Sequence, residues 1–179
     1  MIARDIIKSV LNPLTFGLFC IFRKNSAMQA TIEHLEKIIQ NYYRRLESIP
    51  EEEYARKPRP DKWSKKEILG HLLDSAQNNI RRFIVSQYED LPHIGYNQDQ
   101  WVTLSDHQQA PAGDLVILWR LLNRHMCRIL YRIGPEAALR KCIMANGKEY
   151  TIEWMAADYC NHLLHHLHQI LELDPIAYP

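Results

Sequence analysis

Asp158–Ile170, DYCNHLLHHLHQI, is the stretch on which the reading of this 179-residue chain turns. On a helix, His162 and His166 lie four residues apart, so both imidazoles leave one face about 6 Å apart along the axis. That spacing suits one metal ion. Asp158, one turn before His162, and Gln169, seven residues after it, continue the stripe with polar groups where a purely structural helix carries Leu or Val. Two imidazoles leave a divalent ion under-coordinated, so a third ligand is expected from elsewhere in the chain.

The segment Ser64-Lys65-Lys66-Glu67 has the capping-box pattern and predicts a helix from about Lys65 to Tyr88. One of its faces is apolar (Ile68, Leu72, Leu73, Ala76, Ile80, Phe83, Ile84). Another carries Glu67, His71, Asp74, Ser75, Asn78 and Arg82 at helical spacing. The expected ligand set is therefore His71, His162 and His166, three neutral imidazoles that hold a zinc-like ion and leave a position open for water or substrate. His165, three residues after His162, offers an alternative partner by spacing alone, with His166 preferred. Glu67 and Asp158 each precede an expected ligand by one turn and are candidates for fixing the imidazole tautomers, against the plainer reading of surface carboxylates. Asn78 or Arg82 is expected to orient an anionic or polar substrate. His93 and His107 read as exposed loop residues, His125 and Cys127 as packing or surface residues, and His168 as solvated.

The remaining pattern is helical. Thr31–Ser48 places Ile32, Leu35, Ile38, Ile39, Tyr42 and Leu46 at three- and four-residue intervals, and Leu115–Leu130 does the same between Pro111 and Gly134-Pro135. Prolines 50, 58 and 60 mark a connecting loop, and Glu89–Gln109 is a long aromatic-containing connection of the kind that often lines a pocket. Asn146-Gly147 signals a small hairpin within Arg140–Tyr150; Thr151 then caps a last helix running to about Leu173. The expectation is an all-α, antiparallel four-helix bundle with a small hairpin before the last helix, an architecture whose facing helices can build an interior metal site.

Composition narrows the function. Lys plus Arg (22) nearly balance Asp plus Glu (21), and no basic run of the nucleic-acid-binding type occurs, so a small-molecule partner is expected and nucleic acid is not. The four cysteines (Cys20, Cys127, Cys142, Cys160) form no C-x-x-C pair and suit reduced thiols in a cytoplasm. Residues 1–27 differ from the rest: Val10–Phe22 is apolar after a lightly basic start, but it is short for a membrane span and contains Asn12 and Pro13. They are read as an N-terminal extension or accessory helix, with membrane association or export as the alternative, and residues 28–179 as the metal-binding domain. The H-E-x-x-H, P-loop, G-x-S-x-G and Rossmann patterns are absent, as are the paired Glu-x-x-His motifs of di-iron bundles.

The segments DKWSKKEILGHLLDSAQNNIRRF, PHIGYNQDQW and NHLLHHLHQI, in that order, resemble the DinB-like superfamily and more closely its YfiT-like metal-dependent hydrolases. The resemblance spans about Met28 to Leu173. It implies a DinB-type four-helix bundle holding a zinc- or nickel-like ion on His71, His162 and His166, and it favours the i,i+4 pair over His165. Related branches include thiol-dependent transferases and isomerases. The expected function is thus a metal-dependent hydrolase or thiol S-transferase acting on water or a low-molecular-weight thiol, with a non-catalytic metal-binding stress or interaction protein as the alternative. The resemblance also implies a homodimer, with Tyr96–Trp101 at a subunit interface or pocket wall.

Overall fold

The computed structural model describes residues 26–178, and the expectation for the N-terminal extension lies almost wholly outside them. In chain order the elements are α1 (Ser26–Glu47), α2 (Glu51–Ala55), α3 (Lys65–Val85), α4 (Gln98–Leu104), a 3-10 turn (His107–Gln109), α5 (Ala112–Arg132), α6 (Pro135–Ala138), β1 (Lys141–Ile143), β2 (Glu149–Thr151) and α7 (Ile152–Ile170). Helices α1, α3, α5 and α7 form the expected four-helix bundle. Both α1 and α3 pack on α5 and on α7, which sets α1 and α3 at opposite corners.

The apolar stripes meet in one core. Leu35 and Leu46 of α1, Leu69 and Leu72 of α3, Trp119 and Met126 of α5, and Leu163 and Leu167 of α7 are all completely buried; each such side chain contributes about 1.5–3 kcal/mol through loss of apolar surface to water. Helix α3 is exceptional because its polar stripe is buried too: His71, Asp74, Ser75, Asn78, Asn79 and Arg82 all lie inside. Its start is fixed by the full capping box, with the Ser64 hydroxyl accepting from the Glu67 amide and the Glu67 carboxylate accepting from the Ser64 amide.

Helix boundaries shift where local chemistry competes. Helix α1 begins five residues before Thr31, because the Thr31 hydroxyl donates back to the Ala27 carbonyl and so sits inside the helix rather than capping it. Helix α7 ends at Ile170, not near Leu173; Glu172 adopts a left-handed backbone (φ 52°) that turns the chain back along the helix. The two connections also contain short helices. Three glutamates in the first turn favour α2 electrostatically, and the Asn97 side chain caps α4 by accepting from the Gln100 amide. The hairpin forms as expected around Gly147 (φ 74°), pairing Cys142 with Tyr150, and Thr151 caps α7 by accepting from the Trp154 amide. Among the described residues no helix is long and apolar enough to cross a membrane.

His107 departs from its expected exposure. It is buried, and its Nε2 lies 3.1 and 3.2 Å from the two carboxylate oxygens of Asp74, pinning the long connection to α3. Gly70 makes this possible: a Cβ at that position would sit 2.2 Å from Cγ of the His107 ring. A glycine inside a helix costs about 1 kcal/mol relative to alanine, and here the cost secures a loop. Gly70→Ala is therefore expected to destabilise the protein by about 1–3 kcal/mol in urea unfolding. Gly113→Ala, whose Cβ meets nothing within 4 Å, is the matched control and should be neutral or stabilising. Equal stability of the two variants would show that His107 is not seated against α3.

Candidate metal centre

His71 lies two turns into α3, and His162 and His166 lie on successive turns of α7; because these helices pack side by side, the three imidazoles meet. Nε2 of His71 is 3.0 Å from Nε2 of His162, and one ligand atom from each of the three histidines lies within 4.8 Å of the others. The rings stand nearly perpendicular, with centroids 4.7–5.0 Å apart. Spacing left His165 as an alternative to His166, but the His165 Nδ1 donates to the Ile176 carbonyl at 2.6 Å and holds the C-terminal tail. His168, expected to be solvated, is half-buried and uses both nitrogens, one with the Tyr42 hydroxyl at 2.7 Å and the other with the Asp174 carbonyl at 2.8 Å.

The donor set fits a divalent cation. The His166 Nδ1 faces the Gln169 amide oxygen at 3.0 Å, which makes Nδ1 the donor and leaves the Nε2 lone pair available. The Ser75 hydroxyl lies 3.4 Å from the His162 Nδ1, and the His71 Nδ1 is buried without a hydrogen-bond partner. With the His166 proton on Nδ1 and at most one proton between the Nε2 atoms of His71 and His162, the three facing Nε2 atoms hold more lone pairs than protons. A cation satisfies all three. The rings are also held neutral, as ligands must be. Burial, followed by the neighbouring His166, pulls the His71 pKa down to about 4; burial, again with His166, pulls His162 down to about 2 and acts in the same direction on His166.

The carboxylates do not act as expected on the imidazoles. Glu67 is turned away: its two oxygens take the Ser64 amide at 2.7 Å and the Lys57 ammonium at 2.8 Å, because the helix cap uses the carboxylate first. Asp158 accepts from the Tyr178 hydroxyl at 2.9 Å rather than from His162. Burial raises its pKa. Tautomer-fixing contacts come instead from Ser75 and Gln169. Asn78 also points elsewhere, donating to the Asp74 carbonyl one turn back. Its neighbour Asn79 replaces it beside Arg82, whose Nη1 donates to the Asn79 Oδ1 at 3.3 Å and whose Nε donates to the Ile94 carbonyl at 3.0 Å.

Two cavities reach the centre. The smaller, about 370 Å³, has His71 and His162 in its wall together with Arg82, Tyr96, Asp158 and Tyr178. The larger, about 620 Å³, has His166 in its wall together with Trp63 and charges of both signs, among them Lys62, Lys65 and Glu172. Tyr178 had no sequence signal of its own. It arrives because the tail folds back from Glu172 and sets its ring 5.3 Å from that of His162.

A helical bundle with three histidines converging from two helices defines a class of metal-binding bundle proteins. The DinB superfamily model matches residues 34–170, and the chain belongs to that superfamily. It is 28% identical over 146 residues to "Putative metal-dependent hydrolase YfiT" of Bacillus subtilis (strain 168), covering 80% of this chain and 82% of that protein. The solved structure of Bacillus subtilis YfiT, an unusual four-helix bundle, superposes with a TM-score of 0.75 at 22% identity, covering 83% of this chain and 86% of that one. A mycothiol-dependent maleylpyruvate isomerase superposes with a TM-score of 0.69 at 10% identity, over 83% of this chain and 62% of its own, which establishes likeness of fold.

The histidine pKa values set a pH dependence. A folded-state pKa held below the unfolded value, about 6.5, leaves full stability above that value and loses it as pH falls. For His71 the loss runs from about pH 6.5 to 4. In metal-free protein each such histidine should therefore steepen the loss by about 1.4 kcal/mol per pH unit. Thermal unfolding between pH 7 and 4 is the measurement; a midpoint that does not fall would contradict neutral burial.

Proposed function

We propose that this protein is a metal-dependent thiol S-transferase, with His71, His162 and His166 as the ligands of one zinc or nickel ion. The observation that carries this reading is that two separate cavities border one histidine cluster. Hydrolysis needs room for one organic molecule and water; transfer to a thiol needs room for two organic reactants. An all-imidazole set suits zinc or nickel. Such an ion supplies Lewis acidity that lowers the pKa of a thiol or water reaching it.

The chain's own groups then position the reactants. Arg82 is almost fully buried and has no ion pair among the described residues, so its guanidinium favours an anionic or polar group on the electrophile in the smaller cavity. Tyr96 and Tyr178 close the walls of that cavity around an organic body. The mixed charges of the larger cavity suit a low-molecular-weight thiol that itself carries both signs. In the reaction the thiol gives up its proton to solvent, its sulfur bonds to the electrophilic carbon, and the bond from that carbon to the leaving group breaks, the group departing with that electron pair. Two of the chain's own thiols, Cys127 and Cys160, are poorly suited to the role, because burial pushes each up to about 12. The working unit in this reading is a homodimer, supported by Trp101 and the strongly exposed Leu104 on α4 beside the smaller cavity.

The test pairs metal-loaded protein with a chromogenic electrophile bearing a carboxylate, with and without cysteine as the thiol. Product formation should require the thiol and saturate with it. Arg82→Met should raise KM for that electrophile about tenfold with metal content retained, equivalent to about 1.4 kcal/mol of lost binding. Equal turnover without thiol would instead favour the hydrolase. Full metal content in each of His71→Ala, His162→Ala and His166→Ala would remove the ligand set.

A further inference from the structure

Apart from the metal centre, α1 and α5 enclose a groove of about 850 Å³, and none of its lining residues borders either cavity at that centre. Its charge is unusual. Arg44, Arg120, Arg124, Arg128 and Arg132 line it against the single acid Glu36, a local excess of four positive charges (five minus one) in a chain whose net charge is +1. Four of these arginines repeat every fourth residue along α5, so their Cα atoms rise in steps of about 6 Å along one helical face.

Such a ladder repels itself, since like charges at i,i+4 destabilise a helix. Among the described residues the only ion pair touching the groove is Arg44–Glu47, at 2.7 Å. Arg120 lies over the Tyr43 ring, 4.5 Å from its centroid, and among the described residues Arg124, Arg128 and Arg132 have no acidic partner. The floor is apolar: Ile39 and Cys127 are buried beneath the guanidinium row, which removes water from one side and strengthens any charge interaction above.

We propose that this groove is a binding site for a multiply charged, phosphate-bearing anion. Guanidinium is the side-chain group whose planar fork meets two phosphate oxygens at once, and the groove contains five arginines and no lysine although the chain has nine lysines. Adjacent rungs about 6 Å apart favour a ligand with several anionic groups over a monoanion. A free polyphosphate and the headgroup of an anionic lipid share this chemistry.

Inorganic tripolyphosphate is the soluble probe, titrated calorimetrically into the metal-loaded full chain at constant ionic strength. Vesicles of phosphatidylcholine and phosphatidylglycerol at 7:3, with pure phosphatidylcholine as control, test the headgroup. The comparison protein is Arg124→Gln/Arg128→Gln, which relieves repulsion and is expected to keep its metal content and a thermal midpoint no lower than wild type. Saturable tripolyphosphate binding weakened at least tenfold in the double variant supports the site with a soluble ligand. Sedimentation with anionic vesicles alone, lost in the variant, supports it with a lipid headgroup. No binding of either probe, or binding unchanged in the variant, overturns the proposal.

Discussion

The site rests on burial of uncharged imidazole. His71 from α3 and His162 from α7 meet through their Nε2 atoms at 3.0 Å, a contact that two imidazolium ions could not make. Helix α3 is correspondingly the most buried helix on both its faces, with leucines toward the core and α5 and polar groups toward α7 and the long connection. Those polar groups are stabilised by pairing within the interior: Asp74 with His107, Asn79 with Arg82, and Ser75 with His162. A bundle helix with leucine at these positions would pack as well and bind nothing.

The polar groups at the histidines come from α3, α7 and the irregular segments, while α1 and α5 contribute apolar packing to the core and carry the arginine groove on their own side. The irregular segments hold their positions by backbone contacts. Arg140 donates to the carbonyls of Ser86 and Glu89, and the Ile94 amide donates to the Ile143 carbonyl, so the chain after α3 is bound to the hairpin before α7.

Much of this was legible in the sequence. Helical periodicity located the four long helices, Ser64 and Glu67 announced a capping box, and Asn146-Gly147 announced the hairpin. The i,i+4 histidines with His71 gave the three residues that the fold brings together. What escaped depends on tertiary contact. Nothing local distinguishes Asn79 from Asn78 until the helix is packed; Glu67 looks available to His71 until the cap and Lys57 occupy it. His107 has no ligand spacing, and its burial follows from Gly70, a residue whose meaning appears only when another segment lies against it. Tyr178 depends on a reversal at Glu172, where no glycine occupies the left-handed position.

The hairpin has a consequence of its own. Met144 and Ala145 at its turn form part of the smaller cavity's wall, and Gly95 of the facing segment approaches so closely that its Cβ would lie 2.9 Å from the Ala145 Cα. The turn thus forms part of the cavity's wall from outside the helices that carry the histidines. Insertions or deletions there can redraw the range of molecules admitted while leaving the bundle untouched, so that diversification of this scaffold can proceed by trimming one ribbon.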